Sequence, residues 1–488
     1  MRSKPPTGSK DTMHHPLRAA RHCAAAALAA LLISQPAFAA EEPLAGSLSP
    51  ETIRKIDDAA AEVLKKTAVP STSIAVVRDG RIVYLHAYGN ARLEPRVPAD
   101  PALRYGIGSI SKQFTASALL LLQQDGKLSL DDKVAKYVPE LTRAGDITIR
   151  QLLSHTSGYQ DYWPQDYMFP LMIQPISPEG IMDRWARQPL DYEPGAKWQY
   201  SNTGYVIAGR IVEKASGKPL FQFLRERIFE PLKMTTAHDF DREPLAPGNV
   251  PGYKAYALGP PRAAEASGVG WLFGAGELAM TAEDLAKWDI SIINRSLLSE
   301  ASYRALETET LLNNGAGTDY GLGVDVEIEK QRRKIAHGGE VNGFTALNSI
   351  YPDNRAAIVV LVNQDASRAI DQLTEKLIDI VFEQAQATDT AKTAQARAIF
   401  DGLQQGRLDR SMLTSNANFY FSEQAIADFK ASLGPLGAPT EFKQTRVGLR
   451  GGMTGRSYDA KYTDQTLRVW TYETPDGKLE QFQVAVKE

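Results

Sequence analysis

Tyr105–Asp125 reads YGIGSISKQFTASALLLLQQD. It carries Ser109 and Lys112 in the pattern S-x-x-K, at the start of an apolar run that predicts one buried helix. Residues three apart share a helix face, so the Ser109 hydroxyl and the Lys112 amine can meet there. No charged residue lies between Lys112 and Asp125. The ammonium therefore stands at the edge of a hydrophobic rod, where desolvation disfavours its charged form. A neutral lysine can take the serine proton, and serine needs that help because a free hydroxyl is a poor nucleophile at neutral pH. The helix start adds orphan N–H groups and a positive dipole end, which favour the oxyanion formed when Ser109 attacks a carbonyl. By itself the pattern also fits Ser109 as an N-cap and Lys112 as a snorkelling side chain. Partners elsewhere in the chain must decide between the two.

Working outward, Glu51–Lys66 has apolar residues at helical spacing, and STSIAVVRDGRIVYLHAYG predicts a β-hairpin turning at Asp79-Gly80. ITIRQLLSHTSGYQDYWPQDYMFP predicts a helix ending near Ser154 and His155, with His155 as a cap. In the loop that follows, Tyr159, Tyr162, Trp163, Tyr167 and Phe169 are expected to pack, with pocket lining as the alternative. Thr281 is the expected N-cap of a helix leading to Trp288. Strands are expected over 320–328, 332–336, 343–351 and 356–362, followed by an amphipathic helix over 369–384. A sheet interrupted by an all-helical middle and closed by a helix is an α+β (α/β sandwich) fold with a mostly antiparallel sheet. Residues 386–393 are expected to be a linker, and 394–488 a small α+β accessory domain of two helices and four strands.

Residues 1–39 are expected to be a secretory signal. Arg18, Arg21 and His22 precede the apolar segment AAAALAALLI, and Ala37-Phe38-Ala39 stands before Ala40. The apolar segment is too short to span a bilayer. Cleavage after Ala39 would give a secreted chain, with the periplasm as the expected compartment and no remaining membrane span; Met13 is an alternative start. Cleavage would also remove the single cysteine, Cys23. That excludes disulfides and Cys-ligated metals from the mature chain. Five Lys/Arg and one acidic residue would go too, leaving 50 basic and 57 acidic residues, or about −7. That balance gives no reason to expect nucleic-acid binding.

Two further motifs complete the constellation. EPGAKWQYSNTGYVIAGRIVEKASG carries Tyr200-Ser201-Asn202 just before a helix. A tyrosine whose pKa is lowered by a nearby lysine can accept the serine proton and pass it to a leaving group. An asparagine amide can hold a substrate amide or the lysine. Alone, Y-S-N is also an ordinary turn with a cap. KIAHGGEVNGFTALNSIYP places His337-Gly338-Gly339 at the end of one strand and Gly343 at the start of the next. Glycines there would let a substrate backbone approach the strand edge, or simply serve a hairpin.

In this order and spacing the three motifs resemble the penicillin-recognising serine hydrolases: class C β-lactamases, D-Ala-D-Ala carboxypeptidases, D-aminopeptidases and related esterases. The resemblance spans about residues 45–385 and includes LLSHTSG (152–158), PGAKWQYSN (194–202) and GAGELAMTAEDLAKW (274–288). It implies a β-lactamase/transpeptidase-like fold in which Ser109 is acylated, Lys112 and Tyr200 share the proton work, and Asn202 orients the substrate. It further implies that His337, Gly338 and Gly339 border the pocket, and that the backbone N–H groups of Ser109 and Glu340 form an oxyanion hole. His337 stands where the lactamases carry the Lys of K-T-G, and it would bring a weaker charge to a substrate carboxylate. The expected function is a cofactor-free and metal-free serine hydrolase acting on a small ester or related acyl compound. A β-lactamase, a D-Ala-D-Ala carboxypeptidase or a D-aminopeptidase are alternatives, as is a non-turnover protein that binds cell-wall fragments.

Overall fold

A computed structural model describes residues 48–165, 167–244, 246–383 and 389–487. The expected signal, Cys23 and residues 386–388 of the expected linker lie outside the described residues.

The fold is α+β, built on a seven-stranded antiparallel sheet. In chain order its strands are β1 (Ser71–Arg78), β2 (Arg81–Arg92), β3 (Val97–Pro98), β4 (Asp325–Glu329), β5 (Arg332–Val341), β6 (Phe344–Tyr351) and β7 (Ala356–Val362). The spatial order is β3-β2-β1-β7-β6-β5-β4. The hairpin turn falls at Asp79 and Gly80, which both take positive φ, 50° and 71°. That left-handed pair matches the twist of the two strands it joins.

Strands β1 and β7 are buried on both faces. Their alternate residues therefore divide between two cores. Ile74, Val76, Ile358 and Val360 pack under helices α1 (Pro50–Thr67) and α5 (Ala369–Glu383). Ala75, Val77, Val359 and Leu361 face the larger core, which holds α2 (Ser111–Gln124), α3 (Asn202–Ser216) and α4 (Ala282–Asn294). Every residue of α2 from Ser111 to Leu122 is buried, as its uninterrupted apolar run requires. Helix α4 starts at Thr281, whose side chain accepts from the Asp284 N–H.

The sequence misplaces three boundaries, the first being the strand expected from Tyr320, which begins only at Asp325. Strand β5 runs on to Val341, so His337-Gly338-Gly339 lies inside a strand rather than at its end. The helix expected from Ala394 begins at Asp389, within the stretch expected to be linker. Toward the C-terminus, strands β8 (Glu441–Arg450), β9 (Met453–Lys461), β10 (Thr466–Glu473) and β11 (Leu479–Val486) form a second antiparallel sheet. Helices 389–404 and 423–433 accompany this sheet, and the region has its own core around Phe400, Tyr458, Val469 and Phe482. The described residues nonetheless form one compact unit. Arg456 of β9 joins the two sheets by pairing with Asp353, beyond β6, and with Glu473 at 3.2 Å. Among the described residues no helix is long and apolar enough to cross a membrane.

Candidate active site

Ser109 lies in a single 3-10 turn, Gly108–Ile110, that leads into α2. The turn brings Ser109 Oγ to 2.9 Å from Lys112 Nζ. Lys112 is fully buried. Its Nζ also donates to Asn202 Oδ1 and to the Ala275 carbonyl, both at 2.8 Å. Burial lowers the Lys112 pKa to about 7, against the raising influence of Asp161. A neutral amine has two N–H donors and one lone pair. Two of its three neighbours here present only acceptor oxygens, so the lone pair can point only at the Ser109 hydroxyl.

The turn before α3 completes this arrangement. Ser201 is the N-cap, accepting from the Gly204 N–H at 3.3 Å, which leaves Asn202 as the first helical residue with its amide free for other work. Asp161 fixes that amide by accepting from Asn202 Nδ2 at 3.3 Å and from the Asn202 backbone N–H at 2.9 Å. A carboxylate accepts only, so Asn202 Oδ1 must face Lys112.

The Tyr200 ring lies 4.8 Å from Lys112 Nζ, and its phenol lines the same cavity as Ser109. Burial raises its pKa above the ordinary range, although the Ser109 hydroxyl acts in the opposite direction. This corrects the expectation that Lys112 would lower it: near neutrality Tyr200 keeps its proton. The C-cap of the helix over 149–153 is Ser154 rather than the expected His155. His155 is buried with its ring centroid 4.2 Å from that of Tyr200, and its Nδ1 accepts from the Ser201 N–H at 3.1 Å.

His337 is also corrected. Its Nδ1 donates to the Gly338 carbonyl, and its Nε2 lies 2.9 Å from Tyr320 Oη. Burial and the Lys112 charge lower its pKa to about 3. His337 therefore brings no positive charge to the pocket at neutral pH.

Glycine sets the spacing between β5 and the Ser109 turn. A Cβ on Gly339 would lie 1.9 Å from the Ile107 carbonyl, and one on Gly108, at φ +51°, would lie 2.7 Å from the Glu340 N. Only bare backbones approach this closely. The result is that Ser109 and Glu340 line one cavity of about 470 Å³. Tyr200, Asn202, His337, Gly338 and Gly339 line it too, so the sequence-identified residues, with Lys112 beneath them, come together.

Sequence reasoning missed Asp161, Tyr320 and the acidic lining. A charged residue amid the aromatics of SGYQDYW was the available signal for Asp161. Of the expected aromatics, Tyr159 is buried in the core, whereas Trp163 and Tyr167 line the cavity. Asp325, Glu340, Asp365 and Asp371 line it as well, and no Lys or Arg does among the described residues. Among the described residues no three His, Cys, Asp or Glu side chains are grouped to hold a metal ion.

The Beta-lactamase family model matches residues 56–381. The chain belongs to the β-lactamase family. Penicillin-binding protein 4* of Bacillus subtilis (strain 168) is 30% identical over 329 residues, covering 64% of this chain and 72% of the relative. A D-aminopeptidase of Brucella anthropi is 28% identical over 301 residues, and the match spans 60% of this chain and 56% of the relative's length. Among solved structures, the octameric penicillin-binding protein homologue from Pyrococcus abyssi shares the fold, with a TM-score of 0.59 at 21% identity over 89% of this chain and all of that one. The D-stereospecific amidohydrolase from Streptomyces sp. gives 0.57 at 26% identity over 67% of this chain and 97% of that one. The matched family segment contains Ser109, Lys112, Tyr200, Asn202 and the His337 strand.

Proposed function

We propose that this β-lactamase-family protein hydrolyses small esters or related acyl compounds through an acyl-enzyme on Ser109. The observation that carries the reading is the set of three partners around Lys112 Nζ, of which only Ser109 can reverse its hydrogen bond. Ser109 Oγ attacks the carbonyl carbon while its proton passes to Nζ. The backbone N–H groups of Ser109 and Glu340 receive the oxyanion, where losing one donor typically costs about 100-fold or more in rate. Tyr200 hands its proton to the leaving group and regains one from Lys112. Water then attacks the acyl-enzyme by the reverse route and frees Ser109.

The charge of the cavity supports uncharged or amine-bearing substrates. Four carboxylates and a neutral His337 give a carboxylate-bearing β-lactam or D-Ala peptide no cationic partner. The same acidic lining favours a second reading, an amidase or peptidase acting on D-amino-acid derivatives with a free amine. The D-aminopeptidase and D-stereospecific amidohydrolase relatives support it.

Intact mass and product release, followed with p-nitrophenyl butyrate, nitrocefin, a D-Ala-D-Ala peptide and a D-amino-acid amide, separate these activities. Ester turnover with a transient acyl adduct is expected, and Ser109→Ala should lose both adduct and turnover while keeping the fold. A fully active Ser109→Ala protein would end this mechanism. A stable adduct without turnover would make the protein a sensor of cell-wall fragments. We further propose export with cleavage after Ala39 and an accessory role for the C-terminal sheet region. N-terminal sequencing of exported protein that found Ser3 or Lys4 would refute the cleavage.

A further inference from the structure

The segment from Val269 to Glu277 forms a partition between two cavities. Leu272, Ala275 and Gly276 line the Ser109 cavity. Val269, Gly270, Phe273 and Glu277 line a second cavity of about 630 Å³ on the other side. Glu277 is only 3% exposed, and its Oε2 accepts from the Gly274 N–H at 3.2 Å. Its Oε1 is buried with no hydrogen-bond partner in the structure. A buried carboxylate oxygen in that state carries a desolvation cost that a donor in the cavity would remove.

Five carboxylates and three arginines line the second cavity, and of the carboxylates Asp241 and Glu277 are in no ion pair among the described residues. Asp241 borders the same cavity and accepts from the Gly270 and Leu272 N–H groups at 2.8 and 3.1 Å. Arg210 pairs with Glu179 and Glu213 although its Nε–H has no partner, Arg225 pairs with Glu230 at 3.7 Å, and Arg242 pairs with Asp239 at 3.3 Å. Burial together with Asp239 and Asp241 pushes the Glu277 carboxyl well above its usual range, and a cation beside it would favour the ionised form. Leu220, Phe221 and Phe273 give the cavity an apolar wall. No metal-holding group of three such side chains occurs among the described residues, so a compact metal ion is a poorer match than a cation with a hydrocarbon body.

We propose that this second cavity binds a small organic ammonium compound, with its nitrogen on Glu277 and Asp241 and its hydrocarbon body against Phe221 and Phe273. Glu277 is two residues from Ala275, whose carbonyl accepts from Lys112, so the site lies directly behind the catalytic wall.

The test is calorimetric titration of the full chain with benzylammonium and with benzyl alcohol, its uncharged counterpart. Benzylammonium is expected to bind the wild type, about tenfold or more tighter than the alcohol. Glu277→Gln should weaken it by a similar factor, whereas Asp371→Asn in the catalytic cavity should not. Phe221→Ala removes part of the apolar wall and keeps every carboxylate, so it serves as a second variant should Glu277→Gln fail to fold; it too should weaken binding. Absence of binding at millimolar benzylammonium, equal binding of the alcohol, or unchanged affinity in both Glu277→Gln and Phe221→Ala would overturn the proposal. So would loss of binding in Asp371→Asn alone, since that places the ligand in the catalytic cavity.

Discussion

Asp161 takes two hydrogen bonds from one residue, the backbone N–H and the side-chain amide of Asn202, and thereby decides which atom of that amide faces Lys112. It acts at a distance too, because its charge raises the Lys112 pKa against the effect of burial. Asp161→Asn removes both influences. Losing one oriented hydrogen bond of about 1–2 kcal/mol should lower kcat roughly tenfold. The sharper readout is pH: without the Asp161 charge, the acid limb of kcat/KM should move to lower pH. An unmoved or alkaline-shifted limb would show that Asp161 does not act on Lys112.

In the wild type the acid limb itself follows from Lys112. Below its pKa of about 7, Nζ is an ammonium with no lone pair for the Ser109 proton; above it, the amine is free to act. Turnover should therefore rise with pH through about 7 and level off. The Tyr200 phenol is raised above its ordinary range and keeps its proton across that window. The profile should show no second rise from a tyrosinate below pH 9. A stopped-flow pH series with an uncharged ester checks both points.

How far the residues alone disclose the site depends on whether chemistry or packing places them. S-x-x-K is local: one helical turn joins Ser109 to Lys112, so their meeting is legible in the spacing. The hairpin and the buried strand β7 are legible for the same reason, since alternation and turn residues are neighbours in the chain. Asp161 and Tyr320 are not, because each meets its partner across 41 or 17 residues that only the tertiary fold brings back together. Protonation states are hidden for a related cause. Burial, which the sequence does not display, keeps Tyr200 protonated and His337 neutral.

The neutral His337 should set the preference against anions, and a lysine there should relax it. His337→Lys places an ammonium at the edge of a cavity that four carboxylates otherwise line. A unit charge about 4 Å from a substrate carboxylate is worth up to about 4 kcal/mol at an intermediate dielectric. A tenfold or larger gain in nitrocefin kcat/KM relative to p-nitrophenyl butyrate is therefore expected. No change in that ratio would mean that the substrate carboxylate does not reach position 337.

Gly339 tests the oxyanion arm. The Cβ of Gly339→Ala would sit 1.9 Å from the Ile107 carbonyl, so β5 must move away from the Ser109 turn. Displacing the Glu340 N–H should cost about 100-fold in kcat with circular dichroism unchanged. A near-normal rate would place the second oxyanion donor elsewhere.

Arg456 ties the two sheets together. It is 5% exposed and pairs with both Asp353 and Glu473, the latter also paired with Lys392. Burial alone would raise the Asp353 pKa, but Arg456, Lys392 and Arg333 together hold it below the usual carboxylate range. Arg456→Met leaves Asp353 buried without its main partner and Glu473 with Lys392 alone, and removing one partner of a buried pair typically costs about 3–5 kcal/mol. Because the folded-state pKa of Asp353 is depressed, its stabilisation is present above the unfolded carboxylate pKa and lost as pH falls through the folded one. Wild-type stability should thus decline on acidification below about pH 4, the unfolded carboxylate range. The Arg456→Met protein should start lower and lose less over the same interval. Thermal unfolding of both proteins between neutral and acidic pH measures this, and parallel pH dependences would show that Asp353 draws its stabilisation from other charges.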